Sequence, residues 1–151
     1  MMRKHERRRC RDIMSRSVVT IGAEDSIQVA ASLMRDNDIG ALPVTQDNKV
    51  LGIITDRDIV IRAVAQGLDL ETKVAEVMSK PVIVVQEDEF VFGAIKTMGE
   101  NQVRRLPVVD SAGNLVGMIS MADIALESED ELEVAEMLEE ISSGKSFWRK
   151  N

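Results

Sequence analysis

Hydrophobic and polar residues follow two spacings along this chain, and the same succession of spacings occurs twice. A short apolar run, VVTI at 18–21, predicts a buried strand. The polar AEDS after it predicts a helix start. SIQVAASLMRDN then sets Ile27, Ala30, Ala31 and Met34 on one helical face. ALPV and VLGIIT, parted by the turn residues DNK, predict two strands. A second helix is expected from Asp56 to Gln66, with Gly67 as its stop. The second half reads VIVV at 82–85, QEDE, EFVFGAIKTMGEN, RLPVV, DSAGN, LVGMIS and a helix from Met121 onward. Each half is therefore strand–helix–strand–strand–helix.

The halves align residue on residue at an offset of 64. Met14 and Ser15 fall on Met78 and Ser79, Ala30 on Ala94, Met34 on Met98, and Leu42-Pro43-Val44 on Leu106-Pro107-Val108. One extra residue within Ser111-Ala112-Gly113-Asn114 moves the offset to 65. Gly52 then meets Gly117, Ile54 meets Ile119, and Asp58 meets Asp123. A repeat this long implies two related halves packed as one body, not a solenoid. The expected organisation is a basic arm at 1–11, a first repeat at 12–66, a linker at 67–75, a second repeat at 76–126, and an acidic helix and tail at 127–151. Pro43 and Pro107 are expected at equivalent strand starts, where a missing N–H is tolerable.

Composition narrows the function. No apolar run is long enough to cross a bilayer, and the basic start lacks the apolar segment of a secretion signal, so a cytoplasmic location is expected. Cys10 is the single cysteine and His5 the single histidine. A disulfide framework, a His–Cys metal site and a nucleophile–histidine pair are all unsupported. The net charge of −7 is uneven, with a strongly basic first eleven residues and an acidic stretch from Glu127 to Glu140. Both read as solvated ends. A basic arm binding nucleic acid is the lesser alternative, because no DNA-reading motif or aromatic stacking platform accompanies it. Gly144-Lys145-Ser146 resembles the end of a P-loop, but Glu139 stands where that motif needs glycine.

The chemistry concentrates in GIITDRD (52–58) and GMISMAD (117–123). Thr55 with Asp58 fits a capping box at a helix start. The same helix mouth could hold an anion, since unpaired N–H groups and the helix dipole favour negative charge there. One copy would not decide between capping and binding; two at equivalent positions favour a binding role.

The order Met-Ser, acidic turn, helix, Leu-Pro-Val, then Gly, two apolar residues, Thr or Ser, and Asp three residues on resembles the CBS-domain family, as a tandem pair (a Bateman module). The likeness covers residues 12 to 126. It implies an α/β fold of two pseudo-twofold-related repeats with clefts between them that bind adenosine compounds. AMP, ADP or ATP is the expected ligand, with S-adenosylmethionine and NAD(H) less frequent. The motif aspartate would take the ribose hydroxyls. Carried over by position, the first cleft would combine Ile53, Thr55, Arg57 and Asp58 with Lys80, Val82, Val103, Arg104 and Arg105. The second would combine Met118, Ser120, Ala122 and Asp123 with Val18, Ile39 and Gly40. Gly40-Ala41 becomes Arg104-Arg105 in the second repeat, and Arg57 is matched by Ala122, so positive charge ranks the first cleft ahead.

No catalytic constellation and no required cofactor or metal emerge from the residues. The expectation is a stand-alone regulatory module that signals to an unknown downstream protein. The resemblance further implies a homodimer, with Leu132, Ala135, Leu138 and Ile141 as an apolar stripe on the last helix. The alternative is a structural or protein-interaction module whose clefts stay empty.

Overall fold

The computed structural model describes residues 8–127 together with Glu139. Its elements run α1 (Cys10–Ile13), β1 (Ile21–Gly22), α2 (Ile27–Asn37), β2 (Ala41–Gln46), β3 (Lys49–Thr55) and α3 (Asp56–Asp58). α3 continues into a π-helical stretch, Ile59–Val64, and α4 (Val74–Val77) follows. Next come β4 (Val85–Gln86), α5 (Val91–Asn101), β5 (Arg105–Val109), β6 (Leu115–Ser120) and α6 (Met121–Glu127). The fold is mixed α/β with two three-stranded sheets, β1-β2-β3 and β4-β5-β6. The expected arm residues 1–7, most of the expected last helix with its apolar stripe, and Gly144-Lys145-Ser146 lie outside the described residues.

The leading strands are shorter than the apolar runs suggest. VVTI and VIVV contribute only their last residue each, because parallel pairing begins at Ile21↔Val44 and Val85↔Val108. The central strands keep their expected positions. Asp47 and Asn48, both at positive φ (50° and 63°), make the tight turn between β2 and β3. Left-handed geometry at both turn residues matches the twist of the paired strands.

Contacts divide the chain into two units whose edges differ from the sequence halves. One comprises Val18–Val82 with Gly113–Leu115. The other holds the described residues up to Ser17, then Ile83–Ala112, then Val116 onward. In the β1–β3 unit, Ser26 caps α2 by accepting the Val29 N–H. Ile27, Ala30 and Met34 of α2 pack with Leu42, Val44 and Ile54 of the sheet. Val74, Val77 and Met78 close that core. Each fully buried aliphatic side chain stabilises by about 1.5–3 kcal/mol relative to exposure.

Pro43 stands third in β2, not at its start. Its partner Ile53 gives its own N–H and C=O to Ser79 instead (3.2 and 2.8 Å), so Pro43↔Ile53 is a pair without ladder bonds. The nitrogen of Pro43 faces the β1 side, where pairing has not yet begun. A proline is therefore tolerated inside a central strand.

The β4–β6 unit uses equivalent residues: Val91, Ala94, Met98, Leu106, Val108 and Ile119. Its core is closed by Cys10 and Met14, which stand 64 positions before Val74 and Met78. This corrects the reading of Cys10 as part of a solvated arm, since it is fully buried. The reason is main-chain pairing: the Cys10 N–H donates to the Glu89 carbonyl (2.8 Å), Arg11 N–H to Glu87, and Val91 N–H to the Arg8 carbonyl. The basic residues then meet compatible groups. Arg8 pairs with Glu127 at 2.6 Å, and the Arg9 guanidinium lies 4.7 Å from the Phe90 ring centre.

Burial, with the nearby Glu89 carboxylate second, pushes the Cys10 thiol up to about 12. Its reactive thiolate is then a negligible fraction at pH 8. We expect no reaction of native protein with a thiol-specific disulfide reagent at pH 8 over minutes, and one equivalent in denaturant. Prompt native labelling would show that the α1 seat opens readily.

Candidate functional site

Both motifs fold as reciprocal caps. Thr55, extended at φ −117° and ψ 163°, accepts the Asp58 N–H on its hydroxyl, and the Asp58 carboxylate accepts the Thr55 N–H, both at 3.0 Å. Ser120 and Asp123 make the same exchange at 3.1 and 3.2 Å. Two orphan N–H groups are satisfied at each helix start. The capping expectation for Thr55 and Asp58 is realised.

The motif glycines have a separate cause. Met78 and Ser79 run beside β3, and Met14 and Ser15 run beside β6, each joined by a pair of main-chain bonds to Ile53 or Met118. A Cβ on Gly52 would lie 2.8 Å from the Ser79 carbonyl oxygen. One on Gly117 would lie 2.6 Å from Met14 Sδ and 2.8 Å from the Ser15 carbonyl oxygen. Only glycine admits the second chain so close.

The aspartates differ in their surroundings. Asp58 is buried at 8% exposure, and the Ser79 hydroxyl donates to its carboxylate at 3.1–3.2 Å. Arg62, one helical turn on, places Nε 3.8 Å from Asp58 Oδ1 and donates to the Met78 carbonyl at 3.2 Å. Asp123 is half-buried, and among the described residues its carboxylate accepts only the Ser120 N–H. Ser79 and Arg62 were not among the expected site residues. The signal lay in the repeat: at offset 65, Arg62 is replaced by Glu127.

The strand starts sit beside their own motifs. The Asp56 N–H donates to the Gly40 carbonyl at 2.9 Å, with Ala41 opposite Thr55. The Met121 N–H likewise donates to the Arg104 carbonyl at 2.8 Å. Val18, Ile39, Gly40, Ile53, Thr55 and Val82 are half-buried, whereas Arg57 and Lys80 are exposed, all in the β1–β3 unit. In the β4–β6 unit Val103, Met118, Ser120 and Asp123 are half-buried, and Arg104 and Arg105 are exposed. Each expected cleft thus draws residues from both units. A groove of about 330 Å³, lined by Ile27, Ile59, Val64, Leu68 and Leu70 among others, touches neither Thr55 nor Asp58. Among the described residues no group of three or more His, Cys, Asp or Glu could hold a metal, and no helix is long and apolar enough to cross a membrane.

A family model described as CBS domain matches residues 10–64 and 74–130. The CBS domain-containing protein YhcV of Bacillus subtilis is 40% identical over 116 residues, 77% of this chain and 82% of that protein. The solved structure of Hypoxic Response Protein I with two coordinated zinc ions is 38% identical, with TM-score 0.74 over 80% of this chain and 99% of that one. The CBS domain pair of protein MJ0100, in complex with 5′-methylthioadenosine and S-adenosyl-L-methionine, is 32% identical. Its TM-score is 0.70, over 79% of this chain and 94% of that one.

Alanine at residue 52 or 117 must displace backbone, not merely a flexible side-chain tip. Overpacking of this kind costs about 1–3 kcal/mol. Gly52→Ala and Gly117→Ala should each lower the midpoint of denaturant unfolding accordingly, with an unchanged slope. Wild-type midpoints would mean that the Met-Ser segments move aside at no cost.

Proposed function

The chain belongs to the CBS-domain family as a tandem pair, and from that premise we propose that it binds an adenosine-containing small molecule and reports it to a partner protein. The ligand class is AMP, ADP or ATP, and the module regulates without catalysing a reaction. The observation that carries this reading is the box of hydroxyl and carboxylate at a motif helix start, Ser120 with Asp123, whose carboxylate is half-buried and bonded only to the Ser120 N–H among the described residues. It occurs in a chain 32% identical to a pair solved with two adenosine compounds. Those two ligands share ribose and adenine. An ionised carboxylate has acceptor sites for two vicinal hydroxyls, and Arg supplies paired donors for phosphate. Arg104 and Arg105 are the proposed phosphate-binding cations. Aliphatic side chains such as Ile53, Val82 and Met118 are suited to adenine, since the chain has no Tyr and one Trp.

A calorimetric titration with AMP, ADP, ATP, S-adenosylmethionine and NADH tests the reading, and silence from all five would sink it. Replacing Arg104 and Arg105 together by alanine should weaken AMP and ATP binding tenfold or more, about 1.5–3 kcal/mol for each charged bond lost. Adenosine, which has no phosphate, should bind as before. Equal effects on nucleotide and nucleoside would remove the arginines from the phosphate.

We further propose a homodimer. Val60, Ile61, Val64, Leu68 and Leu70 are all exposed on one segment of the β1–β3 unit, an apolar face of the kind association covers. Sedimentation at micromolar concentration should give a dimer, unaffected by Cys10→Ser and dissociated by Ile61→Glu with Val64→Glu. A wild-type monomer would defeat the assembly.

A further inference from the structure

We propose that the two motif carboxylates have divided roles: Asp58 is a structural latch that fixes Met78 and Ser79 against β3, and Asp123 alone is left to accept a ribose diol. The second half rests on the proposed adenosine binding; the first does not.

A carboxylate offers about four acceptor sites. At Asp58 two donors already engage both oxygens, with a guanidinium beside them. Oδ2 receives the Thr55 N–H at 3.0 Å, the Ser79 hydroxyl bridges both oxygens at 3.1 and 3.2 Å, and Arg62 Nε stands 3.8 Å from Oδ1. Arg62 also donates to the Met78 carbonyl, so the ion pair and the main chain of the latched segment are tied by one side chain. The group is 8% exposed. Two ribose hydroxyls would have to displace Ser79 and enter beside Arg62.

Apart from the shared capping bond, the surroundings differ at Asp123. Its Oδ2 receives the Ser120 N–H at 3.2 Å, and its Oδ1 has no partner among the described residues. Ser15, the counterpart of Ser79, is exposed, and its bonds to Met118 are main-chain only. The residue one turn on is Glu127, which repels a carboxylate where Arg62 attracts one, and it pairs with Arg8 at 2.6 Å. Arg104 and Arg105 belong to this same unit, the Arg104 carbonyl bonded to the first N–H of α6. The main chain that carries Arg104 therefore meets the helix that carries the open carboxylate, reversing the rank that charge counting along the sequence gives to Asp58.

The test uses the full chain, titrated with AMP and melted without it. Wild type should bind one AMP per chain. Asp123→Ala should lose affinity tenfold or more, with the melting temperature lowered only by the loss of one capping bond and less than in Asp58→Ala. Asp58→Ala should lower the melting temperature by roughly 5 °C, while affinity measured well below that temperature stays within about threefold. Ser79→Ala and Arg62→Gln should each lower the melting temperature less and leave affinity intact, so the latch is read even if Asp58→Ala does not fold. Loss of AMP in Asp58→Ala at an unchanged melting temperature overturns the proposal, as do two equivalent AMP sites in wild type. If wild type binds none of the adenosine compounds, the adenosine reading and the ribose role of Asp123 both fall. The latch is then still decided by melting, and equal temperatures for the Asp58 and Asp123 variants would refute it.

Discussion

The structure depends on two places where main chain lies against main chain with no side chain between. Ser79 is paired with Ile53 beside Gly52, and Ser15 is paired with Met118 beside Gly117. Each pairing covers one edge of a motif strand and satisfies N–H and C=O groups that would otherwise face away from the sheet. It also delivers a methionine and a branch of helix into the core beneath. Met78 arrives with Val74 and Val77, and Met14 arrives with Cys10. Edge protection, core closure and the motif helix start are thus consequences of the same approach.

The duplicated elements were legible because their apolar periodicity is strong and occurs twice. Periodicity sets Ile27, Ala30, Ala31 and Met34 on one helical face, and all but Ala31, which is exposed, are buried. The capping box was legible too, since Thr-x-x-Asp carries its own geometry. Cys10 lies before Met14, where the obvious likeness between the two repeats begins, and so passes for part of the basic arm. Carried four residues further back, the repeat sets Cys10 on Val74, and a small apolar residue at a core position explains a cysteine better than a solvated tail does. The basic neighbours on either side masked that signal. Burial of α1 is paid for by main-chain bonds to residues 87–89, which no local pattern announces.

The environments of Asp58 and Asp123 were less accessible still. Two aspartates in aligned motifs look equivalent, and ranking them by nearby arginines in the aligned sequence uses charge without geometry. What separates them is the residue one helical turn later and the position of a serine about twenty residues away in the chain. The π-helical stretch was also invisible to periodicity: Ile59–Val64 reads as ordinary helix. The chain there leaves Val60, Ile61 and Val64 facing solvent while Ala63 is fully buried.

The way each core is closed also sets an order of events during synthesis. The sheet β1-β2-β3 is complete once Thr55 has been made, yet its core still lacks Val74, Val77 and Met78. Residues 8–14 have the longer wait. Their main-chain partners, Glu87 and Glu89, are made more than seventy residues later, and the loop that must close is correspondingly long. A ribosome paused once Thr55 has emerged, but before Val74 has, therefore holds a sheet with an open underside and a leading helix with nowhere to dock. The earliest described residues to leave the exit tunnel are among the last to be seated.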